Sequence, residues 1–310
     1  MNYAIFSATL SQMAVLLFYV ILGWILGHKN LVPESTPSGL SFLQINVFLP
    51  FMILGSLSKN FTRQTAKEKG MLILASLIIT AVVIFIANVL SRILVKDRSR
   101  IPLITFSLIF TNYGFMGYPI LSAVFGEQAL ADMIVFAIVL DIIHYTYGAS
   151  LFNLGRGQAF YSVLLRPVTI AVFLGAVIGL SGLKLPRAVN DIFSLSSNCV
   201  GINAMLLTGM ILSKSKLSAT FGRPLSYVIS LFRLLIIPAV LVGTLYLLGI
   251  RGPILFCTGV FTGMPLAMNI VIFSQNTGNN CEEAVGHCII SSLFSLITVP
   301  VLLSVISAIM

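Results

Sequence analysis

Apolar residues in this chain come in runs of about 20, separated by short polar gaps; runs of that length predict helices that cross a membrane. They lie near 4–27, 40–58, 70–95, 102–125 and 131–153, and again near 163–182, 188–213, 224–248, 253–275 and 282–309. No gap is long enough for a folded soluble domain. The pattern is that of an all-α polytopic membrane protein with ten transmembrane helices.

Composition strengthens this reading. Of 310 residues, 58% are hydrophobic and 9% charged, with a mean hydropathy of +1.04. A soluble domain carries about 25% charged residues. Too few polar side chains exist here to cover a water-facing surface, and lipid is the solvent that makes such a chain stable. The net charge of +9 does not point to nucleic acid, because the cations sit in gaps between apolar runs, as in Lys96-Asp97-Arg98-Ser99-Arg100. Loops gripping anionic headgroups have this pattern, and it places the chain in a cell membrane.

No cation precedes the first apolar run, so no signal-peptide pattern is visible. Lys29, Arg92, Lys96, Arg98, Arg100, Arg156, Arg166, Lys214, Lys216 and Arg223 fall in odd-numbered gaps. Lys59, Arg63, Lys67, Lys69, Lys184, Arg187 and Arg251 fall in even ones. Ten against seven favours an outside N-terminus by the positive-inside rule. Cys199, Cys257, Cys281 and Cys288 lie in or beside apolar segments and read as thiols rather than a disulfide framework.

The two sets of five runs resemble each other, dividing the chain at 1–155 and 156–310. Gly23, Gly27 and Leu31-Val32-Pro33 in the first match Gly175, Gly179 and Leu183-Lys184-Leu185-Pro186 in the second. Leu57-Ser58-Lys59 matches Leu212-Ser213-Lys214, and Met116-Gly117-Tyr118-Pro119 matches Gly263-Met264-Pro265. An odd number of crossings per repeat inverts one half relative to the other, an architecture of many secondary transporters.

Runs four and nine carry helix breakers at corresponding places. Run four reads Asn112-Tyr113-Gly114-Phe115-Met116-Gly117-Tyr118-Pro119, and run nine Gly263-Met264-Pro265-Leu266-Ala267-Met268-Asn269. Proline removes a backbone donor and crowds the preceding turn, and glycine lowers the cost of unwinding. In lipid such breaks persist only against protein or a wet cavity. Half-helix N-termini offer N–H groups and partial positive charge to an anion. Candidate substrate-binding residues are therefore Asn112, Tyr113, Gly114, Gly117, Pro119, Gly263, Pro265 and Asn269; the competing reading is a pair of packing kinks.

These stretches, with Phe125-Gly126, Phe232-Arg233, Pro238 and Ser291 through Pro300, resemble the auxin efflux carrier family of membrane transport proteins. The family includes plant PIN-FORMED exporters and bacterial malate or malonate permeases. The resemblance implies two inverted five-helix repeats with broken crossing helices in spans four and nine. Spans 1, 2, 6 and 7 would form a scaffold, and spans 3–5 and 8–10 a transport domain. It implies Asn112 as the anion-contacting amide, Pro119 and Pro265 as crossover prolines, and a homodimer through the scaffold. The chain departs from the plant pattern at Arg166-Pro167-Val168-Thr169, where an asparagine-rich stretch is expected, and it lacks the long central loop of the plant exporters.

Other polar residues have two readings each. Asp141 and His144, three apart in one helix, form either a proton-coupling site or a structural pair. Arg233 reads as a snorkelling cation, with pairing to Asp141 or substrate as the alternative. Asn46, Pro50, Asn198 and Asn203 either face substrate or hold helices together. Cys281-Glu282-Glu283 through His287-Cys288 reads as a helix start capped by Asn280 and Glu283, not a metal site.

The leading function is a secondary transporter moving a small organic anion, such as a carboxylate, by alternating access. Proton coupling, sodium coupling and membrane potential alone all stay open. An anion channel or uncoupled facilitator is the alternative. No cofactor is expected: the phosphate-binding GxxxxGK[ST] loop of a primary pump does not occur, nor do the HExxH and GxSxG motifs of hydrolases.

Overall fold

The computed structural model describes residues 2–152, 165–214, 221–277 and 281–310. In chain order the helices are α1 (Tyr3–His28), α2 (Thr36–Asn60), α3 (Ala66–Leu94), α4 (Ile101–Ile109) and α5 (Tyr113–Leu151). They continue with α6 (Pro167–Ser181), α7 (Arg187–Leu212), α8 (Pro224–Leu247), α9 (Pro253–Gly263), α10 (Asn269–Thr277) and α11 (Cys281–Ile309). Among the described residues no strand forms; there is one isolated antiparallel bridge, between Thr111 and Leu266.

Among the described residues seven helices (α1, α2, α3, α5, α7, α8 and α11) are long and apolar enough to cross a membrane, and α6 and α9 are shorter apolar helices. The differences from the ten expected runs have local causes. Run 102–125 splits after Ile109, and run 253–275 after Gly263. The second part of run four joins run five in the 39 residues of α5. At 1.5 Å per residue α5 would measure about 58 Å, roughly twice a hydrocarbon core. Gly126 divides it, with φ 82° and ψ −178°, a backbone region open essentially to glycine.

Three helices widen into a π-turn ahead of a proline: Gln44–Phe48 before Pro50, Tyr113–Gly117 before Pro119, and Phe232–Ile236 before Pro238. The proline cannot donate to the carbonyl four residues back, and the wider turn relieves the clash of its ring there. A fourth π-turn, His144–Gly148, has no proline. It ends where a β-carbon on Gly148 would lie 2.9 Å from the Phe110 ring.

α1 packs along α7, and α2 along α6. α4 and α9 are apolar on every side and enclosed: Leu103 through Ile109 and Leu255 through Gly263 are all buried. Phe18, Phe85, Ile93 and Val177 point outward, as lipid-facing side chains do. Lys69, counted above among loop cations, is instead fully buried and paired with Asp132, joining α3 to α5.

Candidate functional site

Both interruptions follow from local sequence. α4 ends at Ile109, Phe110 is extended, and α5 begins at Tyr113. In the second interruption Met264 is extended (φ −71°, ψ 152°), because the residue before a proline is pushed out of the helical region. The chain stays irregular until α10 starts at Asn269.

Each interruption strands backbone groups that a membrane interior does not forgive. The two solve the problem together. The Asn112 N–H donates to the Pro265 carbonyl at 2.7 Å, and the Ala267 N–H to the Phe110 carbonyl at 3.1 Å, giving the antiparallel bridge. The Leu266 N–H finds Ser291 Oγ at 3.1 Å. Arg233 supplies further donors: Nε to the Met264 carbonyl at 3.2 Å, and Nη1 to the Ser107 and Leu108 carbonyls at 3.0 Å each. Arg233 is thus no snorkelling cation. It is 1% exposed and bonded to both broken helices.

A cavity of about 290 Å³ opens beside this crossing. Its walls come from α2 (Ile45, Leu49, Ile53), α6 (Val168, Val172, Phe173), the start of α5 (Tyr113, Gly114, Phe115) and the start of α10 (Asn269). The N-termini of α5 and α10 therefore face it with their partial positive charge, the Ile270 and Val271 N–H groups of α10 themselves donating to the Ala267 and Met268 carbonyls. Among the described lining residues Arg166 is the one lysine or arginine and Asp141 the one carboxylate. The Arg166 guanidinium lies 3.5 Å from the centroid of the Tyr145 ring. Asp141 accepts from the Tyr113 hydroxyl at 2.5 Å, and His144 Nε2 lies 3.2 Å from Asn269 Nδ2. Asp141 and His144 do not pair with each other. One is tied to the start of α5 and the other to the start of α10.

Of the residues singled out in the sequence, Asn112, Tyr113, Gly114, Asp141, His144 and Asn269 line the cavity. Gly117, Pro119, Gly263 and Pro265 do not, and each has a packing or pairing role. A β-carbon at Gly263 would lie 2.0 Å from Leu302 on α11, and one at Gly201 of α7 would lie 3.0 Å from Pro119. Gly117 lies against Met264, and Pro265 accepts in the bridge. Asn46 donates to the Phe42 carbonyl, and Asn203 to the Leu40 carbonyl and Gln44 Oε1, so both amides act as helix-to-helix or turn contacts.

Arg166 was counted as a loop cation; the signal that marked it was its place at the head of the sixth run, where the family resemblance expects asparagine. Glu283 is ion-paired with Arg100, and Asn280 lies outside the described residues. Among the described residues no three His, Cys, Asp or Glu side chains gather as metal ligands.

Two comparisons bear on this geometry. A family model described as "Membrane transport protein" matches residues 8–161 and 156–303. An uncharacterized transporter of Methanothermobacter thermautotrophicus is 25% identical over 307 residues, covering 96% of this chain and 98% of its own length. An uncharacterized transporter of Methanocaldococcus jannaschii is 25% identical over 292 residues, covering 92% and 94%.

Proposed function

The chain belongs to the membrane transport protein family, that of the auxin efflux carriers, and is a multi-pass membrane protein; from that premise we propose that it is a secondary carrier for a small organic anion. The observation that carries the reading is the crossing itself: two interrupted helices paired backbone to backbone, with both restarting N-termini and Arg166 on one cavity. Helix N-termini and a guanidinium are complementary to a carboxylate. The mostly apolar remainder of the lining suits the body of a small organic acid.

The chain crosses the membrane ten times in this reading, in two inverted halves divided near residue 155. α4 with the start of α5 makes the fourth crossing, and α9 with α10 the ninth. The pairing of helices supports it. α1 packs on α7 and α2 on α6, so each half's first crossing meets the other half's second. α1, α2, α6 and α7 form the scaffold, and the crossing helices move against them to expose the cavity to one side and then the other. Asp141 provides the coupling site. An anion beside Arg166 also lies beside this carboxyl, and binds better when Asp141 is protonated.

The test is thermal unfolding of the purified protein with mono- and dicarboxylates at several pH values. A ligand that binds the folded state raises the melting temperature. A carboxylate should do so in the native protein and not in Asn112→Ala or Arg166→Gln, whose ligand-free melting stays near native. Equal stabilisation of all three proteins would remove the assigned site, and a response confined to cations would remove the anion reading.

A further inference from the structure

Arg233 contacts carbonyls that the two interruptions deprive of their donors. In unbroken helices Ser107 would accept from Thr111, Leu108 from Asn112 and Met264 from Met268, four residues on. The Asn112 N–H is instead turned to Pro265, and the Ser107, Leu108 and Met264 oxygens all accept from one guanidinium. The crossing is therefore polarised. The N-termini of α5 and α10 face the cavity, and the C-termini of α4 and α9 converge on Arg233. Each C-terminus carries roughly half a negative charge, so two of them meeting away from water require a cation.

Discontinuous helices in carriers usually meet that requirement by coordinating sodium with the same kind of atoms, unwound carbonyls and half-helix C-terminal ends. Here the carbonyl oxygens that would ligate a cation already accept from a covalently attached one. The attachment is firm: Arg233 stands in the π-turn Phe232–Ile236, which Pro238 enforces, and it is 1% exposed. Its Nη2 is buried without a partner among the described residues, so the guanidinium holds a donor in reserve as well.

We infer that Arg233 is a tethered replacement for a coupling cation, and that the cycle of this protein neither needs nor admits sodium at the crossing. The inference rests on the carrier reading only for the word coupling. It is tested without substrate, so its failure and that of the carboxylate site are distinguishable.

The experiment is thermal unfolding of the purified full chain while sodium replaces choline at constant ionic strength. The native protein should show no saturable shift. Arg233→Ala should lose on the order of 5 °C or more and regain it, saturably, with sodium and not with choline. Arg233→Lys should retain part of the native stability and stay insensitive to sodium. A purely structural arginine would give the loss without the cation-specific recovery, and that result overturns the inference. So does a saturable sodium shift in the native protein, which decides the matter alone if Arg233→Ala does not fold.

Discussion

The helix pairs α1–α7 and α2–α6 meet through glycine, backbone against backbone, whereas the interrupted helices meet through hydrogen bonds and one buried arginine. A β-carbon at Gly209 would lie 2.1 Å from the Val20 carbonyl oxygen, and one at Gly23 2.2 Å from that of Leu206. A β-carbon at Gly179 in the other pair would lie 2.4 Å from the Phe61 carbonyl oxygen. Such interfaces gain dispersion along their whole length and have no second arrangement of equal quality. The crossing is held by a handful of directed bonds, to Pro265, Phe110, Ser291 and Arg233, which can exchange partners as helices shift. The difference is the one that the proposed carrier requires between a part that stays and a part that moves.

The contrast can be broken at its rigid side first. Gly209→Ala drives a methyl group into the Val20 carbonyl and the Trp24 N–H, and backbone cannot step aside as a side chain can. Overpacking a close-packed site costs about 1–3 kcal/mol, and this site belongs at the upper end. The largest loss of melting temperature and of monodisperse protein on size-exclusion chromatography is therefore expected here.

Next comes the cavity between the two. Arg166→Gln should weaken carboxylate binding by roughly 100-fold, the scale of about 2–3 kcal/mol for truncating a desolvated charge partner. Ligand-free melting should fall only by the loss of the contact with the Tyr145 ring, on the order of 1 kcal/mol. Titration of the carboxylate against intrinsic fluorescence or melting temperature reads both quantities.

Asp141→Asn sharpens the coupling. In the native protein carboxylate affinity should fall as pH rises, because ionised Asp141 sets a negative charge beside the bound anion. In the variant the affinity should be flat with pH and near the native low-pH value. A native profile already flat would exclude Asp141 from coupling.

The smallest effect is expected at Gly114, where an added β-carbon meets nothing within 4 Å. Gly114→Ala should leave stability unchanged or raise it by up to about 1 kcal/mol through helix propensity. The methyl group enters the cavity, and carboxylate affinity should drop a few-fold. A glycine that tolerates alanine for folding but not for binding marks the cavity, as Gly209 marks the close-packed helix pair.

Much of this was legible along the chain. Pro265 located its interruption to within a turn, because a missing donor is a local property, whereas the first interruption, at Phe110 to Asn112, lies about two turns ahead of Pro119. Gly23, Gly27, Gly175 and Gly179 stood out as matched pairs, although only packing revealed that they admit the neighbouring backbone. The cations were the misleading residues. Arg166, Lys69 and Arg233 all read as loop or snorkelling charges, yet one lines the cavity and two are buried. Flanking hydropathy records how deep a residue lies, not what it touches.

By itself the sequence determined membrane residence, the all-helical form and which two apolar runs are interrupted. Each depends on a window of about 20 residues or fewer. Tertiary structure alone decided that the interruptions repair each other across some 150 residues, that Arg233 joins their C-terminal ends, and that Arg166 faces their N-terminal ends. The physical reason is that a stranded carbonyl or N–H announces a need for a partner without naming it. The partner is whatever donor or acceptor the packed helices bring within about 3 Å.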